Sequence, residues 1–196
     1  MIKKIVSLVV LGILSCSLAF AQNIEDLKKG KKVIISNNLS AYISPNSILA
    51  KPENKELVIK LLNKFSKILE KKIVAKSPAP PVTYVTIESI YSQLGGKELV
   101  SDGQGVTKNH HGGTFFWAIT GVLGYGGNSS VDTATFGGSK VNYLYYSPVA
   151  DSSGVVVGWL EQWDLKTAPN QTGQFIYTSK SINSPFNSMS VGIQIQ

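Results

Sequence analysis

The sequence predicts a mainly β protein, an antiparallel sandwich or barrel of six to seven strands preceded by one amphipathic α-helix. Two observations lead to this fold class. From Val82 onward, short runs of β-branched and aromatic residues alternate with clusters of glycine, serine and asparagine, as in strands joined by turns. Before the proline-rich stretch 77–81, apolar residues instead recur with the period of a helix.

Six runs between Val82 and Gln196 have the composition of strands. Glycine pairs between them, such as Gly137-Gly138, supply the positive-φ turns that such a fold needs. A further short strand is predicted around Val33–Ile35. The six main strands are predicted at Val82–Tyr91, Thr114–Leu123, Lys140–Tyr146, Gly154–Asp164, Gly173–Lys180 and Ser190–Ile195.

One helix is predicted over 53–75, with Pro52 suited to its first turn. Its apolar side chains fall on one broad arc. The other side carries four lysines at spacings of four, three and four, here called the lysine stripe: Lys60, Lys64, Lys67 and Lys71. The stripe is either the solvated face of a helix docked on its own protein or a surface that adsorbs to an anionic membrane or cell-surface polymer.

The first 21 residues have the layout of a signal peptide: a cationic start, an apolar run from Ile5 to Leu14, and small residues before Gln22. We therefore expect a secreted or periplasmic protein. Cys16, the only cysteine, offers the alternative of a lipid anchor. The predicted organisation is a signal peptide at 1–21, a lysine-rich segment at 22–76, a proline linker at 77–81 and a β domain at 82–196.

All the basic residues of the chain apart from histidine are lysines. The sequence has a net charge of +7, and its 19 basic residues include no arginine. Because the bidentate guanidinium forks that read phosphates and bases are missing, we expect no nucleic-acid partner. No glycine pair opens a phosphate-binding helix, and the histidines lack the spacing of a zinc site, so we expect neither a cofactor nor a metal.

Four turn-rich motifs in the C-terminal part point to a known family. They are Ser101-Asp102-Gly103-Gln104, His111-Gly112-Gly113-Thr114, Gly124-Tyr125-Gly126-Gly127-Asn128-Ser129-Ser130 and the segment from Ser181 to Ser190. With these motifs, about 82–196 resembles the YolA-like family of small exported bacterial proteins. The resemblance implies export and a β fold, and it implies no particular activity.

Two groups of residues are candidates for catalysis. His110 and His111, the only histidines, lie near Asp102 in sequence and beside a glycine pair, which is the arrangement closest to a general acid–base site. Glu161 would share one strand face with Trp159 and Trp163, where partial desolvation would raise its pKa toward that of a general acid. The alternatives are an ordinary hydrogen-bonded turn for the histidines, and a lysine partner for Glu161 where its strand leaves the core.

Aromatic residues at even spacing give a binding hypothesis. Trp159 with Trp163, and Tyr143 with Tyr145, could stack on the flat faces of a glycan, or they could fill the interior of a small β core. The run Phe115-Phe116-Trp117 puts large apolar groups on both faces of its strand. This indicates either a central strand covered on both sides or a patch that awaits a partner.

Three function classes follow. The favoured one is a secreted, non-enzymatic binding or toxin-like protein that acts at a cell surface or an anionic membrane. The second is an extracellular hydrolase that uses His110 or His111 with Asp102 or Glu161, which requires these side chains to converge in a cleft. The third is a structural or inhibitory envelope protein, which requires no cleft and a helix packed across a sheet face.

Overall fold

Two antiparallel sheets and one helix form the computed structural model, which describes residues 29, 31–71, 80–125, 132–168 and 171–196. The predicted signal peptide, Cys16 and most of the proline linker lie outside the described residues. The helix is α1, Lys55–Lys71. The strands are β1 Lys32–Ser36, β2 Leu39–Ile43, β3 Tyr84–Ser92, β4 Gly96–Leu99, β5 Phe116–Leu123, β6 Thr133–Phe136, β7 Ser139–Lys140, β8 Asn142–Asp151, β9 Val156–Asp164, β10 Gly173–Lys180 and β11 Ser188–Ile195.

The larger sheet has seven strands in the order β1-β2-β8-β9-β5-β3-β4, and the smaller has four in the order β11-β10-β6-β7. All paired strands within these sheets run antiparallel. The predicted fold class, a mainly β protein with one helix, is confirmed, and each of the six predicted runs overlaps a strand. The strands that were not predicted are β2, β4, β6 and β7, which are too short to show a clear alternating pattern.

One core lies between the two sheets. The larger sheet contributes alternate residues of β3, β5 and β9, and the smaller sheet contributes the inward residues of β6, β10 and β11. Its largest fully buried side chains are Phe116, Phe136, Trp163, Phe175 and Tyr177. The two-residue period of the strands explains why alternate residues enter this core. In β3 a bulge between Ile87 and Ser89 shifts the period, so that Ile90 also enters it.

A second core lies on the opposite face of the larger sheet, where α1 packs. Phe65 is fully buried there, and its ring lies so close to Gly121 that a Cβ at that glycine would meet Phe65 Cζ at 2.9 Å. The apolar arc of the helix therefore faces the sheet, as the docked interpretation expects. The buried helix residues are Leu57, Val58, Leu61, Leu62, Phe65 and Ser66.

Strands on both sides of the predicted linker belong to the same sheet. β2 pairs with β8, so the hairpin of β1 and β2 forms one edge of the larger sheet. The strand expected around Val33–Ile35 is the centre of β1. The helix begins at Lys55, after a single-turn helix at Pro52–Asn54, and is described as far as Lys71. Within the described ranges, no helix has the length and apolar character needed to cross a membrane.

Candidate functional site

An aromatic groove crosses the helix-facing side of the larger sheet, beside the beginning of α1. Strand alternation places Phe116 in the core between the sheets, so Phe115 and Trp117 project to the opposite face. Their rings stack with centroids 5.1 Å apart at 29°. Phe115 is 39% exposed and Trp117 is half-buried, which leaves an aromatic surface open to solvent.

Two neighbouring clefts of about 450 and 310 Å³ make up the groove, and both are lined by Ile48, Lys51 and Trp117. The loop between β2 and α1 forms one wall. Gln162 holds this loop in place, because its Oε1 accepts hydrogen bonds from Ser47 Oγ at 3.0 Å and from the Ile48 backbone N–H at 2.9 Å. Tyr145 lines the larger cleft beside Gln162.

The smaller cleft is organised by the amide of Asn54. Its Oδ1 accepts hydrogen bonds from the Tyr91 hydroxyl and from Lys97 Nζ, both at 2.7 Å, and its Nδ2 donates to the carbonyl of Ile48 at 2.9 Å. Burial raises the pKa of Tyr91 to about 12, so the phenol keeps its proton and donates it. The residues of this cleft are thus fixed before any ligand arrives.

The predicted grouping of His110, His111 and Asp102 does not form. His110 is exposed, whereas the His111 side chain is fully buried. Asp102 is exposed and contacts Lys64 of α1. The prediction failed because adjacent residues of the chain project to different surroundings, so closeness in sequence did not produce a shared site.

His111 instead connects two residues that the sequence did not single out. Its Nε2 lies 3.2 Å from Glu98 Oε2, and its Nδ1 lies 2.9 Å from Ser92 Oγ. In the tautomer that donates Nε2–H to Glu98, Nδ1 accepts the hydroxyl proton of Ser92. These residue types match a hydrolase triad, but Ser92 is 1% exposed and the Gly95 turn covers the imidazole so closely that a Cβ there would meet Nδ1 at 2.4 Å.

Glu98 is the anchor of this cluster. Besides His111, it accepts hydrogen bonds from the backbone N–H groups of Lys108 and Asn109, each at 2.8 Å, and from Gln104 Nε2 at 2.7 Å. Burial by itself would raise the pKa of Glu98, and these donors outweigh it, so that the pKa is lowered. The cluster therefore holds an ionised carboxylate inside a loop and fixes that loop to the sheet.

Glu161 occupies the core between the sheets, on the same face as Trp159 and Trp163, as its parity predicted. The alternative of a lysine partner is wrong, because the neighbouring ionisable groups are Asp132 and Tyr177. Burial, followed by the adjacent Asp132, raises the pKa of Glu161 well above its usual value. Tyr177 OH donates to Asp132 Oδ2 at 3.2 Å, and Thr120 Oγ1 donates to Glu161 Oε2 at 3.4 Å.

Glu161 and Asp132 form a buried acid pair. Asp132 is only 2% exposed, and its Oδ1 has no hydrogen-bond partner among the described residues. Burial raises the pKa of Asp132 as well as that of Glu161, so the pair favours keeping a proton. Both acids are enclosed between the sheets, so they do not flank an open site as the acid and base of a glycosidase do.

The four aromatic residues predicted for binding are divided between the two faces. Trp159 and Trp163 are 4% and 2% exposed and fill the core, which supports the core-filling alternative. A register shift between Tyr143 and Tyr145 breaks the two-residue period of β8. Tyr143 consequently packs edge-on against Trp163 at 5.5 Å, while Tyr145 lines the groove on the other face.

The lysine stripe is not uniform. Lys64 is half-buried and binds Glu88 at 3.4 Å as well as Asp102. Burial would lower the pKa of Lys64, but its acidic partners and Tyr84 reverse the effect and raise it. Lys60, Lys67 and Lys71 are exposed. Because the apolar arc behind them is buried against the sheet, this helix offers a bilayer its charges and not its apolar face.

Comparisons with known proteins identify a family without an assigned activity. Among the residues that the structure describes, no three His, Cys, Asp or Glu side chains are grouped as metal ligands. No curated protein and no solved structure matches the chain significantly. The predicted relation to the YolA-like family stays a prediction. The sequence profile of a family described as a domain of unknown function (DUF4879) matches residues 77–195, and the chain therefore belongs to this family.

Proposed function

We propose that this protein is a secreted, non-enzymatic binding protein that acts at a cell surface, and that the groove around Trp117 binds a glycan there. The single observation that carries the proposal is the stacked pair of Phe115 and Trp117, which is open to solvent at the junction of two clefts. An aromatic face without a partner in the protein is a natural platform for the apolar face of a sugar ring.

The polar residues of the groove fit the same ligand. Asn46 and Gln162 line the larger cleft, and the hydrogen bonds from Ser47 and Ile48 occupy only the amide oxygen of Gln162. Amide groups beside an aromatic platform provide donors and acceptors for sugar hydroxyls. Two clefts that meet at Trp117 have room for more than one sugar unit, as expected for a polymer at a cell surface.

The buried polar clusters support a binding role over a hydrolytic one. Ser92 lines the smaller cleft, but it is only 1% exposed and its hydroxyl lies 2.9 Å from Nδ1 of the buried His111. His111 lines neither cleft, and the acid pair of Glu161 and Asp132 lies in the core between the sheets. The docked helix agrees with the third function class, the envelope protein, but that class requires a surface without a cleft, and the groove is at odds with it.

The test is a carbohydrate array probed with the purified protein and two groove variants. Trp117→Ala should weaken binding to every recognised glycan by at least about tenfold, because it removes the central stacking surface. Phe115→Ala, at a position that is 39% exposed and lines only the smaller cleft, should weaken binding to the same glycans by a smaller factor. Phe186→Ala is the matched control, since Phe186 is 61% exposed and lies outside the groove.

The outcomes separate the alternatives. A set of glycans lost in both groove variants and kept in the control supports the proposal. Binding that is the same in all four proteins places the glycan site elsewhere, and no glycan binding by the unmodified protein contradicts the proposal. Melting temperatures measured in parallel identify any variant whose binding is lost through unfolding.

A further inference from the structure

The groove places positive charge beside its stacking surface. Lys51 lines both clefts together with Trp117, so a sugar ring stacked on the indole lies next to the Lys51 side chain. Lys51 is exposed, and the single-turn helices at Ile48–Ala50 and Pro52–Asn54 fix its backbone on both sides. The charge therefore remains available to a ligand and does not support the fold.

A second lysine is fixed at the smaller cleft. Lys97 Nζ donates to Asn54 Oδ1 at 2.7 Å and to the backbone carbonyl of Glu53 at 3.5 Å, and it lies 5.9 Å from the centre of the Tyr91 ring. None of these contacts neutralises its charge. A lysine already held by neutral acceptors loses less side-chain entropy when it binds an anion.

The charged side chains that line the groove are mostly positive. Of the described residues that line the two clefts, Lys51, Lys97 and Glu53 are the charged ones. Glu53 holds Lys97 through its backbone carbonyl, and its carboxylate offsets one of the two lysines, so the groove keeps one positive charge in excess. The whole chain has a net charge of +7, to which Lys3 and Lys4 of the predicted signal peptide contribute two, and the remaining positive charge adds a long-range attraction for polyanions.

Resting on the proposed function, we infer that the ligand is an acidic polysaccharide built from uronic acid units. A uronate carries its carboxylate on a carbon attached to the ring. The ring that stacks on Trp117 therefore brings a negative charge to Lys51, and a neighbouring unit in the smaller cleft brings one to Lys97. A lysine ammonium suits such single-point contacts, for which the planar fork of arginine is not needed.

The test compares two probes that share one backbone. Binding of an oligogalacturonide and of its fully methyl-esterified form is measured by titration calorimetry with the purified protein. The free acid should bind about tenfold more tightly than the ester, because two exposed ion pairs are lost on esterification. The difference should shrink when the salt concentration is raised, whereas the weaker binding of the ester should change little.

Matched lysine variants assign the effect to the groove. The double variant Lys51→Gln/Lys97→Gln should lose the preference for the acid, so that the ratio of the two affinities falls to about one. The control Lys60→Gln/Lys67→Gln removes the same charge from the exposed side of α1 and should keep the preference for the acid. If the control also lost its preference for the acid, the preference would come from the overall positive charge of the protein, and the inference would be overturned.

The remaining outcomes distinguish this inference from the function on which it rests. Equal binding of acid and ester by the unmodified protein overturns the acidic ligand and leaves a glycan-binding groove. If neither probe binds and the carbohydrate array shows no bound glycan, both the inference and the proposed function are wrong. Binding of a proline-rich peptide that Trp117→Ala abolishes, with no glycan bound, assigns the groove to a peptide and overturns both.

Discussion

Glu98 and Glu161 are both buried, at 5% and 1% exposure, yet they are held in opposite states of charge. Glu98 lies in a loop cluster beside β4, where two backbone N–H groups, the amide of Gln104 and the ring of His111 point at its carboxylate. Glu161 lies between the two sheets, where hydroxyl groups and a second carboxyl surround it. The pKa is lowered for Glu98 and raised for Glu161.

The difference teaches that burial alone does not decide whether a carboxyl group keeps its proton. Desolvation favours the neutral acid in both places, and the neighbouring groups decide the outcome: N–H donors lower the pKa of Glu98, whereas the adjacent Asp132 raises that of Glu161 further. An irregular loop can turn several backbone N–H groups toward one point. A pair of regular sheets cannot do so, because the ladders already use the backbone donors of their inner strands.

The largest expected effect comes from removing the charge of Glu98. Glu98→Gln replaces one acceptor oxygen by a donor, which then faces either the Lys108 N–H and the Gln104 amide or the Asn109 N–H and the His111 ring. We expect the free energy of unfolding to fall by on the order of 3 kcal/mol. Urea denaturation at neutral pH measures it. A loss below about 1 kcal/mol would show that the hydrogen bonds at Glu98 do not depend on its charge.

The pH dependence of stability should separate the two carboxyls. Glu161 has a raised pKa in the folded state, so its contribution is complete below the unfolded value of 4.5 and declines as the pH rises from there. Glu98 has a lowered pKa, so its contribution is present above 4.5 and declines as the pH falls. Burial also raises the pKa of Glu88, which adds to the decline on the alkaline side.

Measured between about pH 5 and about pH 8, the free energy of unfolding should therefore decrease, by at most about 1.4 kcal/mol per pH unit for each proton retained by the fold. Glu161→Gln should make this decrease shallower without removing the share that comes from Glu88. A stability that rises over the same interval would mean that the acid pair is already ionised.

The smallest expected effect is that of Glu161→Gln on stability at a single pH. Glutamine has the shape of the protonated acid and, like it, carries no charge. We expect a change within about 1 kcal/mol at neutral pH by urea denaturation. Asp132→Asn is measured in the same assay for comparison. A loss of about 3 kcal/mol in the free energy of unfolding for Glu161→Gln would indicate that position 161 carries a buried charge.

The regular elements could be predicted from local patterns. The long strands β3, β5, β9 and β10 show the two-residue period, and α1 shows the helical one, so each element was found within a few residues. The shared face of Trp159, Glu161 and Trp163 followed from the same period. In β8 the two-residue period wrongly placed Tyr143 and Tyr145 on the same face. A register shift lies between these two residues, and no sequence pattern indicates it.

The candidate groove could be predicted only in part. Phe115 and Trp117 carried a local signal, namely large apolar groups on both faces of one strand. Lys51, Asn54 and Lys97 did not, because they meet only after the loop before α1 folds over the sheet. The neighbour of Glu161 was missed for the same reason: Asp132 directly precedes β6 of the smaller sheet, and no pattern along β9 reveals it.

The hairpin of β1 and β2 and the helix α1 precede the segment 77–195 that defines the family, yet they complete the sheet to which that segment belongs. Without them, Ile119, Leu123 and Leu160 would lose their apolar cover. The segment that matches the family and the unit that folds are thus different lengths of this chain. A fragment starting at Val82 would leave this apolar face uncovered and is therefore unsuitable as a minimal version of the protein.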